Sequence, residues 1–220
     1  MRTGNRRYNV PADLPEVIPV FPLSAALLLP RADLPLNIFE PRYLSMVDAA
    51  MAGNRVIGMV QPDDTVPESA VGPSLCAIGC AGRITALAET GDGRYMLTLS
   101  GIARFRIVAE VATHLPYRSC QVSAAGFASD FADGCDAPVD RSAVLRTFRA
   151  YLKAHNLDAD WESVGQASNE TLINTLAMIA PFGAAEKQAL LEAPDLRARA
   201  ETLVAITELS LAAEGGRVLQ

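Results

Sequence analysis

Four cysteines, two histidines and two lysines are the side chains in this 220-residue sequence best suited to metal binding or nucleophilic chemistry. Cys76 and Cys80 stand four apart, with Cys120 and Cys135 farther on, and no CxxC pair seeds the four converging soft ligands of a zinc site. His114 precedes a Pro-Tyr turn and His155 lies near a polar helix end. Nothing in the sequence supports a Ser–His–acid arrangement around either, so both read as surface or structural histidines. A serine–lysine dyad needs a desolvated lysine beside an exposed nucleophile, and nothing around Lys153 or Lys187 points to one. A phosphate-cradling loop ends in Gly-Lys-Ser/Thr, and the dipeptide Gly-Lys does not occur. Asp63-Asp64 sits in a proline- and glycine-bearing loop and reads as a solvated turn. The run Asp130, Asp133, Asp136 lacks the spacing and terminal glutamate of a calcium loop and reads as linker. The expectation is no catalytic residue, no metal and no cofactor.

The densest polar group is the corner Glu40-Pro41-Arg42-Tyr43. Arg42 could receive a peptide carboxylate while Tyr43 stacks on a bound side chain. Alternatively, Glu40 and Arg42 could pin the turn through an ion pair or backbone hydrogen bonds, since a tight corner leaves orphan N–H groups. The structural reading is favoured, and it implies that Arg42→Ala costs ~1–3 kcal/mol.

Elements must hold that corner in place. Pro19, Pro22, Pro30 and Pro35 punctuate short apolar runs and suggest short or edge strands. Glu40 is biased to extended backbone by the following proline, and Pro41 suits a first helical turn. Leu44, Val47 and Met51 then recur at helical spacing before Gly53-Asn54, so Leu36 to Ala52 reads as strand, corner, helix. Val56 to Val60 is a short apolar strand. From Leu75 the pattern is β, with a glycine-rich hairpin at Thr90 to Gly93, a break at Gly101 and a last strand over about Tyr117 to Ala124. Phe105 follows the apolar alternation into the core. Beyond Pro138 the chain turns helical: Val144, Leu145, Phe148 and Leu152 form one stripe, and Leu172, Ile173, Leu176 and Ile179 another. A loop carries Trp161, Ser168 or Asn169 caps the next helix, and Pro181-Phe182-Gly183 ends it. Short strands at regular spacing with one helix indicate a small curved or barrel-like sheet. The expected organisation is a loose leader 1–16, a β domain 17–124, a linker 125–137 and a helical part 138–215.

Half the residues are apolar, a fifth are charged and the formal net charge is -6. That is a soluble globular composition, and it disfavours nucleic acid or an anionic membrane as partner. Seventeen of nineteen basic residues are arginine, which reads as a composition bias. The run LSAALLL is hemmed by Pro22 and Pro30, so no signal peptide is expected, and no run is long enough to span a membrane. Free cysteines fit a reducing cytoplasm.

The blocks IPVFPL and LPLNIFEPRYLSMV closely resemble the opening of the N-terminal, substrate-binding domain of Lon proteases, a domain that also occurs alone in bacteria and within adaptors such as cereblon. Gly101-Ile-Ala-Arg104-Phe105-Arg-Ile107 and Pro116-Tyr117 match further family blocks. The segment Lys187 to Glu192, with Asp195, Arg199 and Leu203, resembles the family's C-terminal helical signature. The resemblance implies an α+β fold, a PUA-like β pseudo-barrel followed by a C-terminal helical bundle. It also implies a non-enzymatic module, without the Lon ATPase or protease, that recognises unfolded or exposed apolar segments or a protein partner linked to proteolysis. An RNA-binding PUA-like protein is the rival reading, disfavoured by the acidic chain, and a small-molecule enzyme the third. Candidate binding residues are Met96, Thr98, Tyr117 and Phe182, expected at a junction of the β and helical parts, together with Arg42 and Tyr43.

Overall fold

The computed structural model describes residues 1–67, 72–132, 134, 138–155 and 161–217; Asp133, Cys135 and Asp136 lie outside the described residues. The chain divides into two compact units, Met1–Asp133 and Gly134–Gln220.

In the first unit the strands are β1 (Arg2–Thr3), β2 (Arg6–Arg7), β3 (Val17–Pro22), β4 (Asp33–Ile38), β5 (Val56–Val60), β6 (Ile78–Glu89), β7 (Tyr95–Val111) and β8 (Arg118–Ser123), with helix α1 (Pro41–Ala52) between β4 and β5. The larger sheet runs β4-β7-β6-β5-β3-β8, and a further β7–β8 pairing closes five of its strands into a ring. β7 can serve three neighbours because it is long: Tyr95 to Ser100 pair with β4, and Arg106 to Val111 pair with β8. The prolines fall where a missing donor is harmless. Pro35 is on β4, which pairs only with β7, and Pro19 is on the part of β3 that pairs only with β8.

Phe105 fills the ring, fully buried beside Ile18, Val20, Ala81, Ala103 and Cys120. Its bulk demands small neighbours. A methyl at Gly58 would stand 2.8 Å from the Phe105 ring, and one at Gly79 would stand 2.7 Å from it. Gly101 does not end its strand as expected. β7 runs through it, and the residue is glycine because the Leu29 carbonyl passes where a side chain would be, 2.0 Å from an added Cβ. Arg31 N donates to Gly101 O (2.9 Å) and Gly101 N to Ala32 O (2.8 Å), which sews that crossing segment to the strand.

Two expectations are corrected here. The leader is part of the β unit: Met1, Tyr8 and Leu14 are buried in the same cluster as the ring interior. Strands of two residues have no period to read, so only burial reveals them. The start of the expected linker is a 3-10 segment, Ala125–Phe131, with Asp130 and Phe131 buried. Asp130 binds Arg104, which is 3% exposed although it lies on a strand where charge suggests solvent. The fork is bidentate, Nε to Oδ2 at 2.9 Å and NH2 to Oδ1 at 2.8 Å, and the Arg104 amide also donates to Oδ2 at 3.0 Å. Phe127 lies under the guanidinium, 4.9 Å from ring centroid to Cζ.

The second unit is helical: α2 (Arg141–Ala154), α3 (Trp161–Gln166), α4 (Asn169–Ile179), α5 (Ala184–Glu192) and α6 (Leu196–Arg217). Asp140 Oδ1 caps α2 through Ala143 N (2.8 Å), and Ser168 Oγ caps α4 through Thr171 N (3.1 Å). Trp161 opens the short helix α3 instead of lying in a loop, with Arg149 stacked 4.5 Å over its ring. Tyr151 and Asn174 take buried places in the helical stripes, whereas Ile179 is exposed. Buried Arg199 ties three helices together, donating from Nε to Leu190 O and from NH1 to Asn174 Oδ1, both at 3.0 Å.

Breaking the Arg104–Asp130 pair should strongly destabilise the β unit. Arg104→Met leaves a buried carboxylate without its cation, and the expected loss is ~3–5 kcal/mol in urea melts. An unchanged midpoint would show that the carboxylate reaches water.

Candidate functional site

The corner forms as its residues dictate: Glu40 is extended (ψ 131°), Pro41 takes the first helical position, and Tyr43 N donates to Glu40 O at 2.9 Å. The buried face of α1 is Tyr43, Met46, Val47 and Ala50, one stripe off the expected Leu44 and Met51. Tyr43 is expected from the sequence to stack on a bound side chain. The structure makes it an aromatic of the helix's inner face, with its ring centroid 4.3 Å from that of Phe21. Glu40 does not cap the helix. Its Oε2 accepts from Arg42 Nε at 2.9 Å, but the two side chains are 43% and 54% exposed. The pair therefore does not pin the corner. Arg42 lies across the Tyr43 ring instead, 4.4 Å from its centroid.

Arg42 and Tyr43 form one wall of a cavity of about 560 Å³. The turn from β7 to β8 supplies the facing wall with Val111, Leu115, Pro116 and Tyr117, and Pro22, Pro62 and Pro73 add apolar surface. One ion pair borders it. Arg118 donates from Nε to Glu110 Oε1 (2.7 Å) and from NH2 to Oε2 (2.6 Å), while its NH1 donates to Pro73 O (2.6 Å). All three nitrogens of Arg118 are thus engaged within the protein. The hydrogen-bonded Arg118 holds the Glu110 carboxyl below its ordinary range, and Glu110 in turn raises Arg118. Burial pushes the Tyr43 hydroxyl up, with Arg118 and Arg42 opposing that shift. Among the described residues, neither the Tyr43 nor the Tyr117 hydroxyl has a hydrogen-bond partner, so both remain available to a ligand. The same ion pair borders a second cavity of about 480 Å³ whose wall includes Cys120, a thiol that burial pushes up to about 11.

The expected site residues thus separate. Arg42, Tyr43 and Tyr117 come together within the β unit. Met96 and Thr98 face Asn37 and Pro35 across the β4–β7 ladder and do not line this cavity, although Met96 is well exposed. Phe182 belongs to the helical unit, buried with its ring 6.2 Å from that of Tyr151. Glu110, Arg118 and the proline walls were not singled out from sequence, because the segments carrying them meet only in the fold. The Glu110–Arg118 cross-strand pair flanking Pro116-Tyr117 was the available signal.

The other polar candidates are occupied locally. Asp63 accepts from Thr65 N (3.0 Å) and Oγ1 (2.5 Å), which lowers its carboxyl. Lys187 is buried and donates to Met178 O at 2.8 Å, and burial lowers its ammonium. His155 packs against Tyr151 with the rings tilted and their centroids 4.2 Å apart. Among the described residues, no three His, Cys, Asp or Glu side chains gather to hold a metal ion, and no helix is long and apolar enough to cross a membrane.

The family model for the ATP-dependent protease La (LON) substrate-binding domain matches residues 17–208. The chain belongs to this Lon family. Over 94 residues it is 35% identical to a Lon protease of Desulfosudis oleivorans, covering 42% of this chain and 12% of that protein. Over 112 residues it is 31% identical to Lon protease 2 of Myxococcus xanthus, covering 51% of this chain and 13% of that protein. The chain therefore spans about an eighth of the length of these Lon relatives. The crystal structure of a Lon N-terminal domain protein from Xanthomonas campestris superposes with a TM-score of 0.58 at 25% identity, covering 86% of this chain and 97% of that one. The N-terminal domain of a Mycobacterium avium complex Lon protease shares the fold, with a TM-score of 0.59 at 17% identity over 87% and 98% of the two chains. What this Lon-type domain places at its cavity is an apolar, tyrosine-bearing surface beside a satisfied ion pair.

Two measurements bear on this site. Arg42→Ala should cost less than about 1 kcal/mol in denaturant melts, because the pair with Glu40 is solvent-exposed; a larger loss would mean that the arginine supports the helix start. The depressed Glu110 carboxyl contributes stability above the ordinary glutamate range and loses it as pH falls through the lower folded value. Urea melts across acid pH should show the gap between wild type and Glu110→Gln constant near neutrality and narrowing below the ordinary range, whereas a pH-independent gap would contradict the ion pair.

Proposed function

We propose that this protein is a polypeptide-recognition module and that the cavity between the start of α1 and the β7–β8 turn holds a segment of the bound chain. One observation supports this most: within a domain of a substrate-binding family, the cavity of about 560 Å³ carries two tyrosines whose hydroxyls have no hydrogen-bond partner among the described residues. Its proline and leucine walls suit an apolar side chain, and tyrosine hydroxyls suit the peptide groups that accompany it. The cavity admits one or two side chains rather than a folded surface, so the clients are unfolded or exposed apolar segments, or a partner that presents one. Arg118 is fully engaged and Arg42 lies on the Tyr43 face, so sequence selection rests on shape and apolar area. No chemistry on the bound chain is part of this reading, and it places the module in the cytoplasm with proteolysis as the fate of what it binds.

Binding of reduced, carboxymethylated α-lactalbumin to the full chain tests it. Tyr117 is half-buried at the cavity wall, and Tyr117→Ala should weaken binding about tenfold, the effect of losing one aromatic anchor. Hydrogen exchange in the complex should slow at residues 42–46 and 110–118. Unchanged affinity together with protection only elsewhere would overturn the assignment.

A further inference from the structure

The β1–β2 hairpin lies outside the residues that the family model matches and carries three arginines, Arg2, Arg6 and Arg7, with no acid between them. Arg2 and Arg7 stand directly opposite one another across the two strands, and like charges in that register repel. Arg6 leans over the Tyr8 ring at 5.6 Å, and Tyr8 itself is fully buried. The hairpin turn at Gly4 rests on Arg83, whose Nε lies 3.6 Å from where a Gly4 methyl would stand, and φ of +58° makes glycine the residue for that turn. Arg83 NH1 donates to Asn54 O at 2.6 Å, which brings the hairpin beside the turn holding Arg55.

Among the described residues, no carboxylate pairs with any of these five arginines. Arg42, Arg94, Arg104, Arg118 and Arg197, by contrast, each have an acid partner. Arg2 spends its Nε on Gly4 O at 3.1 Å. Asp13, which feels the Arg6 charge, has its Oδ2 taken by the Asn9 and Val10 amides at 2.6 and 3.1 Å. In a chain whose net charge is -6, this end is a local positive field with unspent guanidinium donors.

We propose that the exposed face of the β1–β2 hairpin on which Arg2 and Arg7 stand side by side is a docking surface for an acidic polypeptide segment. Guanidinium forks match carboxylates two bonds at a time. Nucleic acid fits less well, because Tyr8 is buried and leaves no exposed ring here on which a base could stack. This surface does not depend on the cavity reading.

Anisotropy of a fluorescein-labelled poly-glutamate peptide titrated with the full chain tests the proposal. Saturable binding at low salt is expected, fading as salt is raised. Arg2→Gln combined with Arg7→Gln should weaken it about tenfold. Arg106→Gln, an exposed arginine elsewhere on β7, should leave it unchanged. Thermal melts establish that the double variant is folded; both side chains are exposed, and Arg7→Gln alone, expected to show a smaller loss of the same sign, serves as the second variant. Absence of binding at low salt, undiminished affinity in the folded variants, or tighter binding of an RNA oligonucleotide of equal charge would each overturn the proposal.

Discussion

The β unit depends on one buried ion pair. Arg104 and Asp130 have side chains 3% and 7% exposed, and each is costly in such a place without the other. Their fork uses both carboxylate oxygens, and the Arg104 amide takes a further bond to one of them. Arg31 adds NH1 to the Asp130 carbonyl at 2.5 Å, so the segment that crosses Gly101 and the segment that follows β8 are fastened at one point. A pair of this kind adds little net stability over apolar packing, but it tolerates few alternatives. It states where residues 125–131 must lie, and Phe131 then joins Met1, Tyr8 and Leu14 in the same apolar cluster.

The cavity is built on a different economy. Its ion pair, Glu110–Arg118, is near the surface and internally complete, so it shapes a wall without offering a charge. What remains open is apolar surface, the hydroxyls of Tyr43, Thr113 and Tyr117, and the exposed Arg42 at the wall. Such a lining discriminates weakly among sequences and strongly between exposed and buried side chains, which is the distinction that the proposed recognition of unfolded chains requires. The arginine face on the hairpin has the opposite character, charge without apolar depth.

Much of the fold was legible because its punctuation is local. Prolines at 19, 22, 35 and 41, glycines at 91 and 93, and the period-two run from Tyr95 announce strands, hairpin and helix start with little help from tertiary structure. Arg104 was not legible: on an alternating strand a charged residue reads as outward, and only the covering segment from β8 onward makes that face an interior. Asp130 lay hidden among small and acidic residues for the same reason. Of the cavity, Tyr117 and the Arg42-Tyr43 corner carried a signal, but their meeting with Pro22, Pro62 and Pro73 is a product of ring closure. Met96, a candidate from the sequence for a binding wall, is exposed on the part of β7 that pairs with β4, away from the cavity.

Ring closure has a consequence in time. Val17 pairs with Gln121, roughly a hundred residues later, so a chain growing from its first residue displays one side of β3 long before β8 exists to cover it. An uncovered strand edge invites pairing with any extended neighbour. Glu16 O accepts from Val122 N, so it is Ile18 and Val20 that turn their backbone groups toward β8, while the nitrogen of Pro19 faces the other way, where the β5 pairing, beginning at Val20, does not reach. The edge that waits for β8 therefore keeps its donors, and the opposite side of β3 is blunted by a residue that has none to offer.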